Sequence, residues 1–256
     1  MSQFQVRQPE VRNRLLAGLS PDAFALLAPS LRPVELELRQ VLHAPDQRIE
    51  AAYFPEAGMV SMLAALEDGA LQEVGVVGRE GLVGLAMVLG ADSSPLEALV
   101  QAPGTALRMP AAGLRAAFER SPALRAALLR YVQAFHLQVS QTAACNGRHA
   151  LEERLARWLL MAHDRAGGDR FPMTQEFMAM MLGVRRAGVS VAAGILQKAG
   201  VVHYARGCVT VLDRTGLEAA SCGCYRAVRR QFERLLGGDV AAGERAGRPA
   251  RSYGRG

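Results

Sequence analysis

The sequence predicts an α+β protein in three parts: an amino-terminal jelly-roll or double-stranded β-helix barrel, a long helix, and a carboxy-terminal winged helix-turn-helix. Three observations predict it. Short apolar runs with strand periodicity recur about every ten residues up to Pro110, which favours a barrel over a parallel sheet. A sustained helical repeat follows Pro110. Further on, two helical segments flank Gly183 and precede two β-rich runs.

The chain of 256 residues is long enough for two domains of ordinary size. We expect a barrel over residues 10–120, a dimerisation helix over 121–147, a winged helix-turn-helix over 148–236 and a basic tail over 237–256. The tail is rich in Gly, Ala and Arg and has no apolar periodicity, so we expect it to be disordered.

The positive charge lies in the carboxy-terminal half. Residues 1–149 carry 13 Lys and Arg against 14 Asp and Glu, whereas residues 150–256 carry 17 against 10. Without the tail, residues 150–236 still have a net charge of +5. Such asymmetry points to a polyanionic partner for the second half, either nucleic acid or an anionic membrane surface.

We expect neither a signal peptide nor a membrane-spanning segment in this sequence. It has no apolar run long enough to cross a bilayer, and its first 20 residues lack a hydrophobic run with a small-residue cleavage site. We therefore expect a soluble cytoplasmic protein with no membrane partner. Its four cysteines, Cys145, Cys208, Cys222 and Cys224, are then expected to be reduced thiols.

We expect no catalytic residues, no cofactor and no metal site, so the protein is not expected to be an enzyme. Cys145 and His149 are four residues apart, but Asn146-Gly147 predicts a break in the helix between them. Cys222 and Cys224 could help to bind a metal or sense oxidation. We favour their packing as small apolar residues, because no further Cys or His follows within the next turns.

The first part of the chain contains two short helices and several strands. Ser20 is a helix cap before Pro21 and Asp22, within one or two helices over residues 10–29. Asp68-Gly69 predicts a hairpin between two strands. The predicted strands are VELEL (34–38), MVSMLAAL (59–66), LQEVGVV (71–77), EALVQA (97–102) and TALRMP (105–110).

Two helices follow. The first carries Leu114 and Phe118 on one face and ends at Ser121-Pro122; the second runs from Ala123 to about Cys145. In the second, apolar and small polar positions recur in steps of 4 and 3, the spacing of a coiled coil. This seam consists of Leu124, Leu128, Tyr131, Phe135, Gln138 and Thr142, beside a neighbouring stripe of Leu129, Val132 and Val139. One face can pack on the barrel and the other on a partner. We favour a homodimer contact through Leu124, Leu128, Tyr131 and Phe135 over a plain core helix.

The segment MLGVRRAGVSVAAGILQKAG (181–200) predicts a helix-turn-helix. One helix runs from about Thr174 to Leu182, Gly183 supplies the turn, and a second helix runs from about Arg185 to Ala199. In such a motif the amino-terminal residues of the second helix lie nearest the bases. One Arg of the pair Arg185-Arg186 can bind guanine and the other a phosphate.

The run VVHYARGCVTVLD (201–213) predicts a hairpin with Arg206 at its tip, as in the wing of a winged helix. The candidate DNA-binding residues are Thr174, Gln175, Arg185, Arg186, Ser190 and Arg206. These observations favour a dimeric regulator that binds double-stranded DNA. The alternative is a ligand-binding or thiol-redox signalling protein whose basic half binds a protein or membrane partner.

Over about residues 10–230 the chain resembles the Crp/Fnr family of bacterial transcription regulators. The resemblance rests on VGREGLVG (77–84), the long helix, TQEFMAMMLGVRR (174–186) and the wing. It implies a cytosolic homodimer that binds palindromic promoter sites, responds to a small-molecule effector in the barrel and meets RNA polymerase. It also implies that Thr174 contacts phosphate and Arg186 reads bases. Ala187 stands where the family often has Glu, so we expect a different target sequence.

The resemblance also bears on the effector. Cyclic-nucleotide binders of the family carry a Glu after an Ile-Gly or similar pair and an Arg-Ser pair further on; here Leu85 and Leu96-Glu97 take those places. No Arg lies between Arg79 and Arg108, and a buried phosphate needs a cation or several donors. We therefore expect an effector other than cyclic AMP. The candidate pocket residues are Gly81, Val83, Gly84, Leu85, Leu96 and Glu97. The oxygen-sensing branch carries amino-terminal cysteines, whereas the first cysteine here is Cys145.

Overall fold

The structure, a computed structural model, describes residues 6–237, so nearly all of the predicted basic tail lies outside the described residues. The helices are α1 (Arg14–Ala17), α2 (Pro21–Leu27), α3 (Leu85–Val88), α4 (Ala111–Arg120), α5 (Pro122–Arg148), α6 (Leu151–Ala166), α7 (Gln175–Leu182), α8 (Arg186–Lys198), α9 (Arg214–Ala220) and α10 (Cys224–Leu236). The strands are β1 (Arg32–Leu36), β2 (Val41–His43), β3 (Ala51–Ala65), β4 (Leu71–Val77), β5 (Leu96–Pro110), β6 (Arg170–Pro172), β7 (Val202–Ala205) and β8 (Cys208–Val211). Within residues 6–237, no single helix has both the length and the hydropathy needed to cross a membrane.

The predicted amino-terminal helices are confirmed. Ser20 caps α2, its Oγ accepting a hydrogen bond from the Ala23 N–H (3.4 Å). Asn13 caps α1 in the same way through Leu16. The Asn13 amide also donates to the carbonyl of Gly81 (2.8 Å), so the cap ties α1 to the barrel.

The barrel is an antiparallel sheet in the strand order β1-β5-β3-β4, with β2 also paired to β5. The predicted β3–β4 hairpin is confirmed: the Leu66 N–H donates to the Ala70 carbonyl (2.8 Å), and Gly69 has a φ of +79°. The sequence patterns missed β2 and the first half of β3. A core of apolar side chains fills the sheet and is closed by α2, α4 and α5.

The two strands predicted at 97–102 and 105–110 form one continuous strand, β5. Pro103-Gly104 does not end it, because β5 bulges here: the two residues lie opposite Gly58 of β3, between the pairs Ala57–Thr105 and Met59–Ala102. A bulge removes the need for a ladder donor at the proline. The amino-terminal part of β5 pairs with β2, and the carboxy-terminal part pairs with β1.

The long helix is confirmed, but the break predicted at Asn146-Gly147 is wrong. Helix α5 continues through both residues to Arg148 and ends where His149 becomes extended (ψ 151°). A glycine inside a helix costs only about 1 kcal/mol, which tertiary packing offsets. Here α10 packs along α5, and the Arg154 guanidinium donates to the Asn146 side chain (3.2 Å).

The apolar seam of α5 faces the protein's own core. Leu124, Leu128, Tyr131 and Phe135 are buried within the chain, and the Tyr131 ring contacts Phe232 of α10 at 6.5 Å between centroids. Their predicted role as the dimer contact is therefore wrong, because the barrel and α10 already cover this face. The neighbouring stripe is only partly covered: Leu129 is 43% exposed, whereas Val132 and Val139 are half-buried against the edge of the core.

The carboxy-terminal part is a winged helix-turn-helix, as predicted. Strands β7 and β8 form the wing, and β6 adds a third strand in the order β6-β8-β7. Its core is continuous with one side of the barrel, where Met59, Leu63 and Val76 pack with Trp158 and Met181. The two parts of the chain therefore share a packed interface.

Candidate nucleic-acid interface

The turn between α7 and α8 has the predicted geometry. The two helices bend by 103°, within the range of a helix-turn-helix. Gly183 has φ +63° and ψ 41°, a left-handed conformation that glycine adopts without a steric penalty. Thr174 caps α7, its Oγ1 accepting from the Phe177 N–H (3.2 Å).

Arg154 of α6 holds this turn, a role that no sequence pattern indicated. Its Nη2 donates to the Leu182 carbonyl at the end of α7, while its Nε donates to Asn146 at the end of α5. The guanidinium satisfies a carbonyl that the helix end leaves open. It therefore connects the long helix to the helix-turn-helix.

The arginine pair lies on the surface. Arg185 is the N-cap of α8 and Arg186 its first residue, and both are exposed, as are Ser190 and Val191 further along the helix. The opposite face of α8 is buried through Val189, Ala192, Ala193 and Leu196. The pair is thus kept out of the core, as the sequence predicts.

Two residues of α7 bind the Arg186 side chain at the protein surface. Its Nη1 lies 2.9 Å from a Glu176 carboxylate oxygen, and its Nε donates to the Gln175 Oε1 (3.3 Å), which also accepts from Ser190 (2.9 Å). Both side chains of the ion pair are about two-thirds exposed, at 66% and 64%. Such exposed pairs contribute about 0–1 kcal/mol, so Arg186 can leave Glu176 at little cost.

The wing turn lies beside the start of α7. Arg206 (φ +51°) and Gly207 (φ +72°) form a two-residue turn with both φ values positive, which suits a tight hairpin. The Met173 N–H donates to the Gly207 carbonyl (2.6 Å). Exposed Arg206 is therefore near Thr174, on the side where α7 begins.

The start of α7 also faces the barrel. Thr174, Glu176 and Phe177 line a cleft of about 250 Å³ whose other wall includes Arg39 and Leu99. Arg39 follows β1, so barrel residues border the predicted phosphate contact at Thr174.

Buried polar contacts join the barrel to α6. The Trp158 Nε1–H donates to Glu73 of β4 (2.7 Å), and burial raises the pKa of Glu73 to about 7. Arg165 forms a buried ion pair with Glu80, at 2.6 Å between Nη2 and Oε1. Glu80 belongs to VGREGLVG, so this segment is engaged by the DNA-binding half, which the sequence did not reveal.

The predicted effector residues are only partly brought together. Val83, Leu85 and Leu96 pack on the same apolar barrel core, and Gly84 starts α3 with φ +108°. Gly81 is unavailable to a ligand, because the Tyr131 ring occupies the space where a Cβ would stand. Glu97 pairs with Leu63 on β3.

Four metal-ligating side chains meet at the carboxy-terminal end of α5, although the sequence predicted no metal site. They are Cys145, His149, Cys222 and Cys224. Since α5 runs through Asn146-Gly147, Cys145 and His149 lie about one helical turn apart. The start of α10 brings Cys222 and Cys224 to the same place.

Comparisons with known proteins agree with this architecture. A family model of the cyclic nucleotide-binding domain matches residues 33–121, and one of the Crp-like helix-turn-helix domain matches residues 153–220, together more than half of the chain. The chain belongs to the Crp/Fnr family. This Crp/Fnr protein is a transcriptional regulator with a sensory cyclic-nucleotide-binding-like domain and a helix-turn-helix, which favours the first of the two functional hypotheses.

Solved structures show the same fold. FixK2 from Bradyrhizobium japonicum superposes with a TM-score of 0.65 at 18% identity, over 75% of this chain and 98% of that one. TTHB099, a CRP-family transcriptional regulator from Thermus thermophilus, gives 0.63 at 18%, over 73% and 96%. The c-di-GMP-responsive regulator CLP from Xanthomonas campestris gives 0.60 at 16%, over 75% and 99%. Among proteins with curated descriptions, none matches the sequence.

Proposed function

We propose that this Crp/Fnr regulator acts in the cytoplasm as a homodimer that binds a two-fold symmetric DNA site and places the start of α8 in the major groove. The observation that carries the proposal is the exposed Arg185-Arg186 pair at the first turn of α8, directly after the Gly183 turn. The amino-terminal residues of a recognition helix are those that reach base edges.

Seven side chains of this surface have proposed roles. Arg186 is free to pair with guanine O6 and N7 once it leaves Glu176, while Arg185 binds a phosphate. The exposed Val191 suits a thymine methyl group. Thr174 and Arg206 lie beside one another and would bind the same stretch of the DNA backbone. Gln175 accepts hydrogen bonds from both Arg186 and Ser190 and so positions them.

The dimer contact is proposed to be the open stripe of α5. Its positions recur in steps of 3 and 4, as in a coiled coil, and they are Leu129, Val132, His136, Val139 and Ala143. All five are exposed or half-buried in the single chain. In such a dimer a two-fold axis would relate the two recognition helices, which would then read a palindromic site. The DNA-bound dimer would contact RNA polymerase.

The effector is proposed to be a small molecule other than cyclic AMP. The barrel core beside Val83, Leu85 and Leu96 is apolar, and no Arg lies between Arg79 and Arg108 to hold a buried phosphate. Glu80, the acidic residue of the VGREGLVG segment (77–84), is already ion-paired with Arg165. An effector that shifts this segment would act on α6 directly through that ion pair.

The DNA contact is tested by selecting bound sequences from a random duplex pool and then measuring affinities. We expect a two-fold symmetric motif, and for Arg186→Ala a loss of about 1–3 kcal/mol, or about 5- to 150-fold, on that site. The control is Arg120→Ala, which removes the same charge from an exposed position on α4. Equal losses for the two variants, or an equal loss for Arg186→Ala on random DNA, would contradict base reading.

The dimer is tested by sedimentation equilibrium. Leu129→Glu places a charge in the proposed contact and should give monomers, whereas Leu89→Glu, at an exposed barrel position, should leave the dimer intact. A dimer that survives Leu129→Glu would place the contact elsewhere.

A further inference from the structure

The four side chains at the end of α5 form a compact donor set. Their ligand atoms all lie within 4.8 Å of one another. The Cys145 and Cys222 sulfurs are 3.5 Å apart, and the Cys224 sulfur is 3.5 Å from the His149 Nδ1. Two pairs of donors, one from each of two distant chain segments, thus converge on one point.

These distances suit a single tetrahedral ion. With zinc–sulfur bonds of about 2.3 Å and a zinc–nitrogen bond of about 2.0–2.1 Å, tetrahedral edges are about 3.8 Å between sulfurs and about 3.5 Å between sulfur and nitrogen. Both 3.5 Å contacts are close to these values. A covalent disulfide would need sulfurs about 2.05 Å apart.

The chemistry of the four donor atoms narrows the choice of metal ion. Three thiolates with one imidazole form one of the ligand sets of closed structural zinc sites, and soft sulfur ligands disfavour magnesium and calcium. A two-iron cluster would spread its ligand pairs over two metal ions. Here all four donors lie around one centre.

The thiols are not ordinary core residues. Cys145, Cys222 and Cys224 are buried, yet they form a cluster of their own, separate from the two large apolar cores. Half-buried His149 closes one side. A fourth thiol, Cys208, lies in the wing strand β8, outside the cluster.

A buried cation next to the cluster suits an anionic centre there. Arg157 is only 2% exposed, and its neutral partners are Thr142 (3.3 Å) and the Met161 sulfur (3.4 Å). Among residues 6–237 its Nε has no hydrogen-bond partner, and its charge acts on the Glu73 carboxyl as well as on Cys145. A buried guanidinium needs a compensating negative charge. Zinc with three thiolates and a neutral imidazole carries one net negative charge.

We propose that Cys145, His149, Cys222 and Cys224 bind one zinc ion that ties the end of α5 to the start of α10. The site lies where the long helix gives way to the DNA-binding half. Asn146, next to Cys145, accepts a hydrogen bond from the Arg154 guanidinium, which also donates to the α7–α8 turn. The metal therefore fixes the joint between the proposed dimer helix and the recognition helices.

The test uses the full chain, purified under reducing conditions, and measures its metal content by inductively coupled plasma mass spectrometry. We expect about one zinc per chain. After removal of the metal with a chelator, cobalt(II) added alone should bind at one per chain with the visible bands of a tetrahedral thiolate site, and zinc should displace it.

Variants assign the ligands. Cys224→Ser and His149→Gln should lose stoichiometric metal and the cobalt spectrum, whereas Cys208→Ser should keep both. Circular dichroism checks that each variant is folded, and melting with and without zinc should show stabilisation only of the wild type and Cys208→Ser. None of these readouts depends on DNA binding.

Several results would overturn the proposal. They are a reduced wild-type chain that binds no cobalt, full binding by a folded Cys224→Ser variant, and equal loss in Cys208→Ser. Recovery of a Cys145–Cys222 disulfide from the freshly isolated protein would show a thiol redox pair instead. Iron with acid-labile sulfide would show a cluster.

Discussion

Replacing the buried Glu73 with Gln should remove a pH dependence from the stability of this protein. The Glu73 carboxyl accepts from Trp158 and lies 2.6 Å from the Ser61 hydroxyl, which is also 2.6 Å from the Gln101 Oε1. One hydroxyl hydrogen can serve only one of these two oxygens. A proton on Glu73 satisfies both, because Glu73 then donates to Ser61 and Ser61 donates to Gln101.

The size of the effect follows from the pKa of Glu73. Burial raises it from 4.5 to about 7, and each unit corresponds to about 1.36 kcal/mol, so the total is about 3 kcal/mol. The pKa of Glu73 is higher in the folded than in the unfolded protein. Its contribution to the free energy of unfolding is therefore fully present below pH 4.5 and is lost as the pH rises through about 7. Glu73→Gln keeps the geometry of the protonated acid. It should therefore match the wild type at low pH and exceed it at pH 8 by roughly that amount.

The assay is urea unfolding between pH 5 and pH 8, combined with fluorescence of the native protein. Trp158 is the only tryptophan, and its indole N–H is bonded to Glu73, so its emission should titrate with a midpoint of about 7. The control is Glu67→Gln, an exposed acid beside the β3–β4 turn. The reasoning is refuted if Glu73→Gln retains the wild-type pH dependence, or if the emission changes only near pH 4.5.

Two further predictions concern the helix-turn-helix. Gly194→Ala in α8 should raise the free energy of unfolding by up to about 1 kcal/mol in thermal unfolding, because no atom beyond its chain neighbours and the backbone of the helix itself lies within 4 Å of the added Cβ; a loss of stability would mean that the helix needs this glycine. Glu176→Gln should tighten binding to the selected DNA about fivefold at matched salt, because it releases Arg186 and removes a negative charge from the proposed interface. Unchanged or weaker binding would show that Glu176 positions Arg186 for DNA rather than restraining it.

Features that depend on neighbouring residues could be predicted from the sequence. The Ser20 cap, the Asp68-Gly69 hairpin and the Gly183 turn each rest on the conformational preferences of a few adjacent residues, and each is found where predicted. The exposure of Arg185 and Arg186 follows from the helical periodicity of α8. Their contacts with DNA stay a prediction.

Other features depend on residues far apart in the chain. The periodicity of α5 shows two apolar faces, but only the packing of the barrel and α10 decides that the Tyr131 face turns inward and the Leu129 face outward. Pro103-Gly104 is a turn signal locally, yet a bulge in β5, opposite Gly58 of β3, keeps the strand continuous.

By itself, then, the sequence determined the order of the three parts (barrel, long helix and winged helix-turn-helix) and the position of the arginine pair, because backbone preference and hydrophobic periodicity act over a few residues. Only the tertiary structure decided that Glu73 meets Trp158, and that Cys145 meets Cys222 across 77 residues. Contacts at that separation depend on how whole faces pack, and no local pattern along the chain encodes the pairing of two particular side chains.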